Sequence, residues 1–457
     1  MRNKLILKVY TILSVLAGLG GWPFFYWHLK SRGRGESFLP RLGLQLPEFL
    51  PPAGRPRVWL HGVSVGEILA AVPLVRELKA LLPQAAFIIS TGTETGQAVA
   101  RKHLAPLGAL VCYFPLDLPW AVRRYLNYLK PQIFIALDSE IWPNFLTQAH
   151  GQGVRLALAN ARLSDKSFRT YLKYQRYLID IFNLFGIIIA GSPLDYQRFQ
   201  QLGLSSAQLH FTGNLKCDRL PRAASLEGED RADPEASLAK ALQIRGNPVF
   251  LAASTHPLEE DAVLDAYQSL LAPYPALLLL LAPRHPERAA AQARLLNGRG
   301  LFFQLWSRLK SGQETRRHPV VVVDTVGDLF NLYGLADVTF VGGSLIPHGG
   351  QNILEPAAWG RVPLYGPHLE NFRWAQALLE EAGAGLMVHD APSLAATAQN
   401  LLDHPVLRHH LGLKAQRALA AHQGAAHRQA RLLAELLVGG EGQGSQTPAP
   451  SPKPLRV

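Results

Sequence analysis

Two series of short apolar runs, each run followed by an amphipathic stretch, leave this chain few folds to choose from. The first series begins near Arg57 and predicts strands at Val58–His61, Ala86–Ser90, Leu110–Phe114, Ile133–Leu137, Arg155–Ala159, Ile187–Ala190 and Leu209–Thr212. Helical patterns such as Glu67–Leu82, Trp120–Leu129 and Lys166–Phe182 lie between them. Repeated β-α units build a parallel sheet with helices on both faces. Pro221–Asn247 is polar and poor in large apolar residues, and reads as a linker with a short helix. The second series then predicts strands at Val249–Ala253, Ala276–Leu281, Val320–Val323, Val338–Val341, Val362–Tyr365 and Leu386–Val388. The expected class is therefore α/β, with two doubly wound domains at 55–220 and 248–405. Two such domains place a cleft between the carboxyl ends of their sheets. Helices follow over 406–438, and the Gly-, Pro-, Ser- and Gln-rich tail 439–457 reads as disordered.

Residues 1–34 read differently. Val9–Trp27 is uncharged and about long enough to span a bilayer, ends in an aromatic cluster, and is followed by Lys30, Arg32 and Arg34. A membrane anchor is expected, either crossing the bilayer or lying in its interface. The formal charge of +12 favours an anionic partner. No nucleic-acid module accompanies it, so an acidic lipid surface or a phosphorylated substrate is the better fit. Two cysteines exclude a disulfide framework, and the scattered histidines show no metal-ligand spacing. His404, His409 and His410 read as a solvated helix face. No metal and no cofactor are expected.

Several strand-end loops carry groups suited to chemistry. Glu67 ends the loop His61-Gly62-Val63-Ser64-Val65-Gly66 and opens a long helix, where it could serve as a general base. It could equally just complement the helix dipole, which would lower its pKa and weaken it as a base. Gly62–Gly66 also mimics a nucleophile elbow, without recognisable Asp and His partners. Asp138-Ser139-Glu140 closes the fourth strand, suited to sugar hydroxyls or to helix capping. Lys216 stands at the entry to the linker, within reach of an anion or merely on the surface. In the second half Arg284 is placed for a bidentate phosphate contact. The run Gly342–His368 reads as strand, glycine turn and helix. Gly342-Gly343 would leave backbone open to a ligand. Pro356 sets the helix start near Asn352–Glu355, where a phosphate would sit, and Glu355 suits a ribose diol. Glycines kept only for tight packing would give the same spacing.

The blocks His61–Glu67, Leu116–Pro119, Glu140–Asn144, Ala159–Ser164, Gly213–Asp218, Ser254–His256, Pro283–Arg288, Asp324–Leu329, Gly342–Leu345 and Gly349–Glu355 occur in one order. In that order they resemble the 3-deoxy-D-manno-octulosonic acid (Kdo) transferases of Gram-negative lipid A assembly. The resemblance implies a GT-B fold, two Rossmann-like domains facing each other across a cleft, with an N-terminal anchor at the cytoplasmic face of the inner membrane. It implies Glu67 as general base, with Glu140 and Lys216 supporting the transition state. It implies a CMP site at Pro283 and Arg284, at Val326, Gly327 and Asp328, and at Asn352, Ile353, Leu354 and Glu355. The implied reaction is inverting transfer of Kdo from CMP-Kdo to a phosphorylated, acylated glucosamine disaccharide, the lipid A precursor. Two other readings stay open: a GT-B lipid glycosyltransferase using a UDP-sugar, and an anchored sugar-nucleotide-binding protein without turnover.

Overall fold

The computed structural model describes residues 7–18, 20, 35–48, 50, 54–220 and 234–439. The chain divides into two compact units, one running to Arg219 and resuming at Gly424, the other Leu220–Gln423.

The sheet of the first unit contains β1 (Arg57–Gly62), β2 (Ala86–Thr91), β3 (Leu110–Tyr113), β4 (Ile133–Leu137), β5 (Arg155–Ala161), β6 (Ile187–Ala190) and β7 (Leu209–Phe211). Their spatial order is β3-β2-β1-β4-β5-β6-β7, and every pairing is parallel. Parallel strands covered on both faces must be apolar along their length, and β4 is buried at all five positions. One face packs on the helix Val65–Leu81 through Ile68, Ala71, Leu74, Val75 and Leu78. The last helix, Ala425–Val438, adds Ala426, Ala430 and Leu433 to that cluster, so the chain returns to the first unit after completing the second. On the other face Trp59, Phe134 and Phe145 pack together, with ring centroids 4.4–5.4 Å apart. Each large side chain buried this way contributes about 1.5–3 kcal/mol.

The second unit repeats the plan with β8 (Val249–Thr255), β9 (Leu278–Pro283), β10 (Phe303–Leu305), β11 (Val320–Val322), β12 (Val338–Val341), β13 (Pro363–Tyr365) and β14 (Leu386–Met387). The order is β10-β11-β9-β8-β12-β13-β14, again parallel. In each sheet the winding direction reverses once, between β1 and β4 and between β8 and β12. Those switch points open a crevice at the carboxyl ends of the strands.

Some elements differ from the sequence expectations. The strand β10 is absent from them, because three half-buried residues paired on one side carry almost no periodic signal. The helix expected over Lys166–Phe182 is two, Asp165–Lys173 and Gln175–Phe182, joined at Tyr174. In the stretch read as a linker, Pro234–Ala241 is helical, and Leu238 and Leu242 pack into the core of the second unit. Residues 221–233 and 440–457 lie outside the described residues, as do 1–6, 19 and 21–34 of the expected anchor. Among the described residues, no helix is long and apolar enough to cross a membrane. Residues 7–18 are helical. Their polar face is tied to the first unit: Tyr10 Oη donates to Asp117 Oδ2 (2.9 Å), Thr11 Oγ1 to Asn144 Oδ1 (2.6 Å), and Asn144 Nδ2 to Ser14 Oγ (3.2 Å). The opposite stripe, Val9, Ile12, Leu13 and Leu16, is exposed.

Candidate functional site

At the β1/β4 switch point three carboxylates gather. Glu67 lies in the first turn of the helix Val65–Leu81, and its contacts are those of a cap. Ser64 Oγ donates to Glu67 Oε1 (2.7 Å), Val63 N donates to Glu67 Oε2 (2.7 Å), and Glu67 N returns a bond to Ser64 Oγ (3.3 Å). The hydroxyl of Ser64 is thereby committed, which removes the nucleophile-elbow reading. The bonds that Ser64 and Val63 donate favour the charged carboxylate, yet the pKa of Glu67 is raised. Desolvation is the largest cause and the nearby charge of Asp138 the second, and together they outweigh the three hydrogen bonds. A helix start alone would weaken Glu67 as a base, and a base there needs a drier site; burial of the carboxylate raises its pKa in that direction.

Glu140 follows β4. Burial, then the charges of Glu67 and Asp138, push its pKa up to about 7. Trp142 Nε1 donates to Glu140 Oε2 at 2.9 Å, and His61 Nε2 stands 3.8 Å from the same oxygen. His61 is fully buried, and desolvation holds it near 3, so the ring is neutral. Its Nδ1 lies 3.0 Å from the carbonyl of Ser90, which can only accept; this assigns the proton to Nδ1 and leaves Nε2 a lone pair. That lone pair has no hydrogen-bond partner and faces Glu140, an arrangement that suits a protonated carboxyl.

Lys216 enters from the short 3-10 turn Leu215–Arg219, with Nζ 3.6 Å from Asp138 Oδ2. Arg162 approaches the same oxygen at 3.6 Å, and Asn160 Nδ2 donates to Asp138 Oδ1 (2.8 Å). Asp138 and Asn160 both adopt left-handed φ, 56° and 51°, at the ends of adjacent strands. Non-glycine residues held there cost about 1–3 kcal/mol each, a strain that collects where side chains must be aimed. The predicted residues Glu67, Glu140 and Lys216 thus belong to one cluster. From sequence Asp138, which links them, is expected only as one of an acidic pair for sugar hydroxyls or as a helix cap, and His61 has no assigned role. The cue was present in Asp138 and Asn160, both at predicted strand ends, but sequence spacing does not show that β4 and β5 are neighbours.

The second unit distributes its predicted residues less evenly. Pro283 is buried at the end of β9, and Arg284 is exposed beside it, its N–H bonded to the carbonyl of Thr255. Val326 is 88% exposed and Gly327 (φ 100°) has open space above it. Asp328 points inward: it accepts from Thr325 Oγ1 (2.6 Å), Lys310 Nζ (2.7 Å) and Trp306 Nε1 (3.0 Å), bonds that together lower its pKa despite desolvation, the largest single cause. It anchors the loop that presents Val326 and Gly327. Asn352 Oδ1 accepts from Leu354 N (3.2 Å), and Asn352 Nδ2 donates to Glu355 Oε1 (3.2 Å). The side chains of Ile353 and Leu354 are fully buried, so a ligand there can meet only their backbone.

One expectation for the glycine turn needs correction. Gly342 and Gly343 are buried, and their turn is already occupied by Glu259. The Glu259 carboxylate accepts from Gly343 N (2.5 Å), His256 N (2.8 Å) and Leu345 N (3.4 Å). A Cβ on Gly342 would sit 2.5 Å from that carboxylate, so packing, not exposure, requires the glycine. The helix that follows, Leu354–Ala358, is five residues long, and Asn352 already caps its first free amide.

Known proteins bear on this arrangement. Residues 36–219 match the family model described as 3-deoxy-D-manno-octulosonic-acid transferase. The chain is 35% identical over 386 residues to a 3-deoxy-D-manno-octulosonic acid transferase of Haemophilus influenzae, covering 84% of this chain and 87% of the relative. It is 34% identical over 439 residues to one from Bordetella pertussis, covering 92% and 97%. Among solved structures, a glycosyltransferase from Rickettsia africae aligns over 85% of this chain and 100% of its own at 12% identity, with a TM-score of 0.56. That similarity concerns the fold alone, two Rossmann-like units of the GT-B kind. The two identities over most of the chain decide the family: this chain belongs to the 3-deoxy-D-manno-octulosonic acid transferases, and is a glycosyltransferase.

Proposed function

We propose that the chain transfers Kdo, with inversion, from CMP-Kdo to a hydroxyl of a phosphorylated, acylated glucosamine disaccharide, with Glu67 as general base. The observation that carries this reading is the Glu67–Asp138–Glu140 cluster, whose burial raises the proton affinity of Glu67 and Glu140. An inverting transfer needs one carboxylate to take the acceptor's proton as the hydroxyl attacks the anomeric carbon. Glu67 suits that role because it is more basic than an exposed glutamate and is held in place by Ser64 and Val63. Glu140, carrying a proton near neutral pH, and Lys216 supply the neighbouring neutral or positive field as charge builds. In the second unit Pro283 and Arg284, the Val326–Asp328 loop and Asn352–Glu355 would hold the CMP moiety, with no metal required by this scheme. The exposed stripe Val9, Ile12, Leu13 and Leu16 supports an N-terminal segment lying in the interface of the inner membrane, its docked face turned to the protein.

The test is release of CMP from CMP-Kdo by the full chain, with and without the lipid acceptor. Wild type should release CMP only when acceptor is present. Glu67→Gln should lower kcat by about 10²–10⁴-fold while binding CMP as before. Turnover of UDP-sugars in place of CMP-Kdo, or a Glu67→Gln variant of unchanged rate, would overturn the reading.

A further inference from the structure

The β8/β12 switch point is lined with groups that the nucleotide reading leaves unused. His256, just past β8, is 5% exposed. Its ring lies 4.0 Å from that of His348, on the loop after β12, and 6.1 Å from that of His285, after β9. Gly343, held at φ 66°, lies against the imidazole, which is 3.3 Å from where a Cβ would be. The chain is bent to aim this ring. Ser254 adopts φ 54°, the β8–β9 register shifts between Ala253 and Thr255, and Leu258 adopts φ 75°. Two left-handed non-glycine residues so close together are strain that the contacts of Glu259 hold in place.

The groups around the ring are guanidiniums and imidazoles. His348, His285, Arg284 and Arg288 face it. The nearby acids are spoken for. Glu259 is committed to three backbone amides. Glu260 is committed to Arg288, Gln292 and Thr255, and Glu287 to the outer side of His285. Arg284 and His348, both exposed, have no acidic partner among the described residues. A buried imidazole beside two guanidiniums and two further imidazoles is a receptacle for an anion.

We propose that His256, with His348, forms a second anion subsite, beside the Arg284 of the nucleotide site, that takes the carboxylate of an acidic donor sugar. The assignment rests on the donor reading above, and it adds the feature separating a nucleotide-linked sugar acid from a neutral sugar nucleotide. The sugar-acid donor carries two anionic centres, its phosphodiester and its carboxylate. The subsite lies at the crevice centre, next to Arg284. Desolvation, followed by His348, His285, Arg284 and Arg288, holds the pKa of His256 at about 4, so it is neutral. A carboxylate against it reverses the balance, and donor binding near neutral pH draws a proton onto the ring.

Calorimetric titration of the full chain with CMP and with CMP-Kdo, acceptor absent, tests this in two buffers of different ionisation enthalpy. Wild type should bind CMP-Kdo more tightly than CMP and take up a proton only with CMP-Kdo. His256→Gln should lose about 10–100-fold of CMP-Kdo affinity, keep its CMP affinity, and lose the proton uptake. His348→Gln, an exposed position that leaves the core untouched, should lose part of the same increment even if His256→Gln folds poorly. Equal weakening toward both ligands would assign the ring to the phosphate and overturn the subsite, as would no change in either variant. A wild type that fails to bind CMP-Kdo at all would overturn the donor reading itself.

Discussion

Replacing Glu140 with glutamine should stabilise the protein while impairing it. Burial and two neighbouring carboxylates raise the Glu140 pKa from 4.5 to about 7. At about 1.4 kcal/mol per pH unit, keeping this group ionised costs the native state up to about 3 kcal/mol. The side chain is only 17% exposed, so solvent relieves little of that. Between pH 4.5 and about 7 the native state holds a proton that the unfolded chain has released, so stability falls as pH rises. Below 4.5 both states are protonated and the penalty vanishes; above about 7 it is complete. Glutamine keeps an acceptor for Trp142 Nε1 and cannot ionise. By calorimetry at about pH 5 to 9, Glu140→Gln should match wild type most closely at the acid end. It should exceed it at about pH 8 by up to about 3 kcal/mol, or roughly 5–10 °C in the transition of the first unit. Activity should fall over the same range. A difference that is flat with pH, or largest at the acid end, would refute the reasoning.

The other predictions concern the second unit. Asp328→Ala leaves the indole N–H of the buried Trp306 without an acceptor and frees the Val326–Gly327 loop. It should cost about 1–3 kcal/mol in denaturant titrations and raise the KM for the donor with kcat little changed. Gly366→Ala puts a Cβ 2.2 Å from the carbonyl oxygen of Ser344, a contact with backbone that no rotamer relieves. The second unit should lose about 3 kcal/mol or more, seen as a lowered thermal transition or insoluble product, while the first unit's transition holds.

Much of the architecture was legible because parallel strands buried on both faces write themselves as unbroken apolar runs, as in Leu278–Leu281 and Val320–Val322. The strand β10 escaped because an edge strand of three residues needs no such run. The cluster at Glu67 was readable in part. Glu67, Asp138, Glu140 and Lys216 all follow strands, so their side of the sheet was predictable; that Glu67 meets Asp138 and Glu140 depends on β1 and β4 being paired. The sign of the Glu67 pKa shift was not readable, since a helix start is local while desolvation is set by everything packed around it. The glycine turn misled for a related reason. Spacing marks Gly342 and Gly343 as places without side chains, but only the fold shows that the distant Glu259 fills the space.

The carboxylate of Glu259 has a consequence for how such a pocket changes over time. Open glycine turns hold water until a ligand arrives, and their affinity is built into the main chain. Here the amides of Gly343, Leu345 and His256 are taken by a side chain of the protein itself, so they neither release water to a ligand nor select one. Selection passes to side chains on the rim, such as Arg284 and His348. These can be exchanged one at a time without rebuilding the strand or the turn. A frame sealed from within leaves its outer face free to drift toward a different anion.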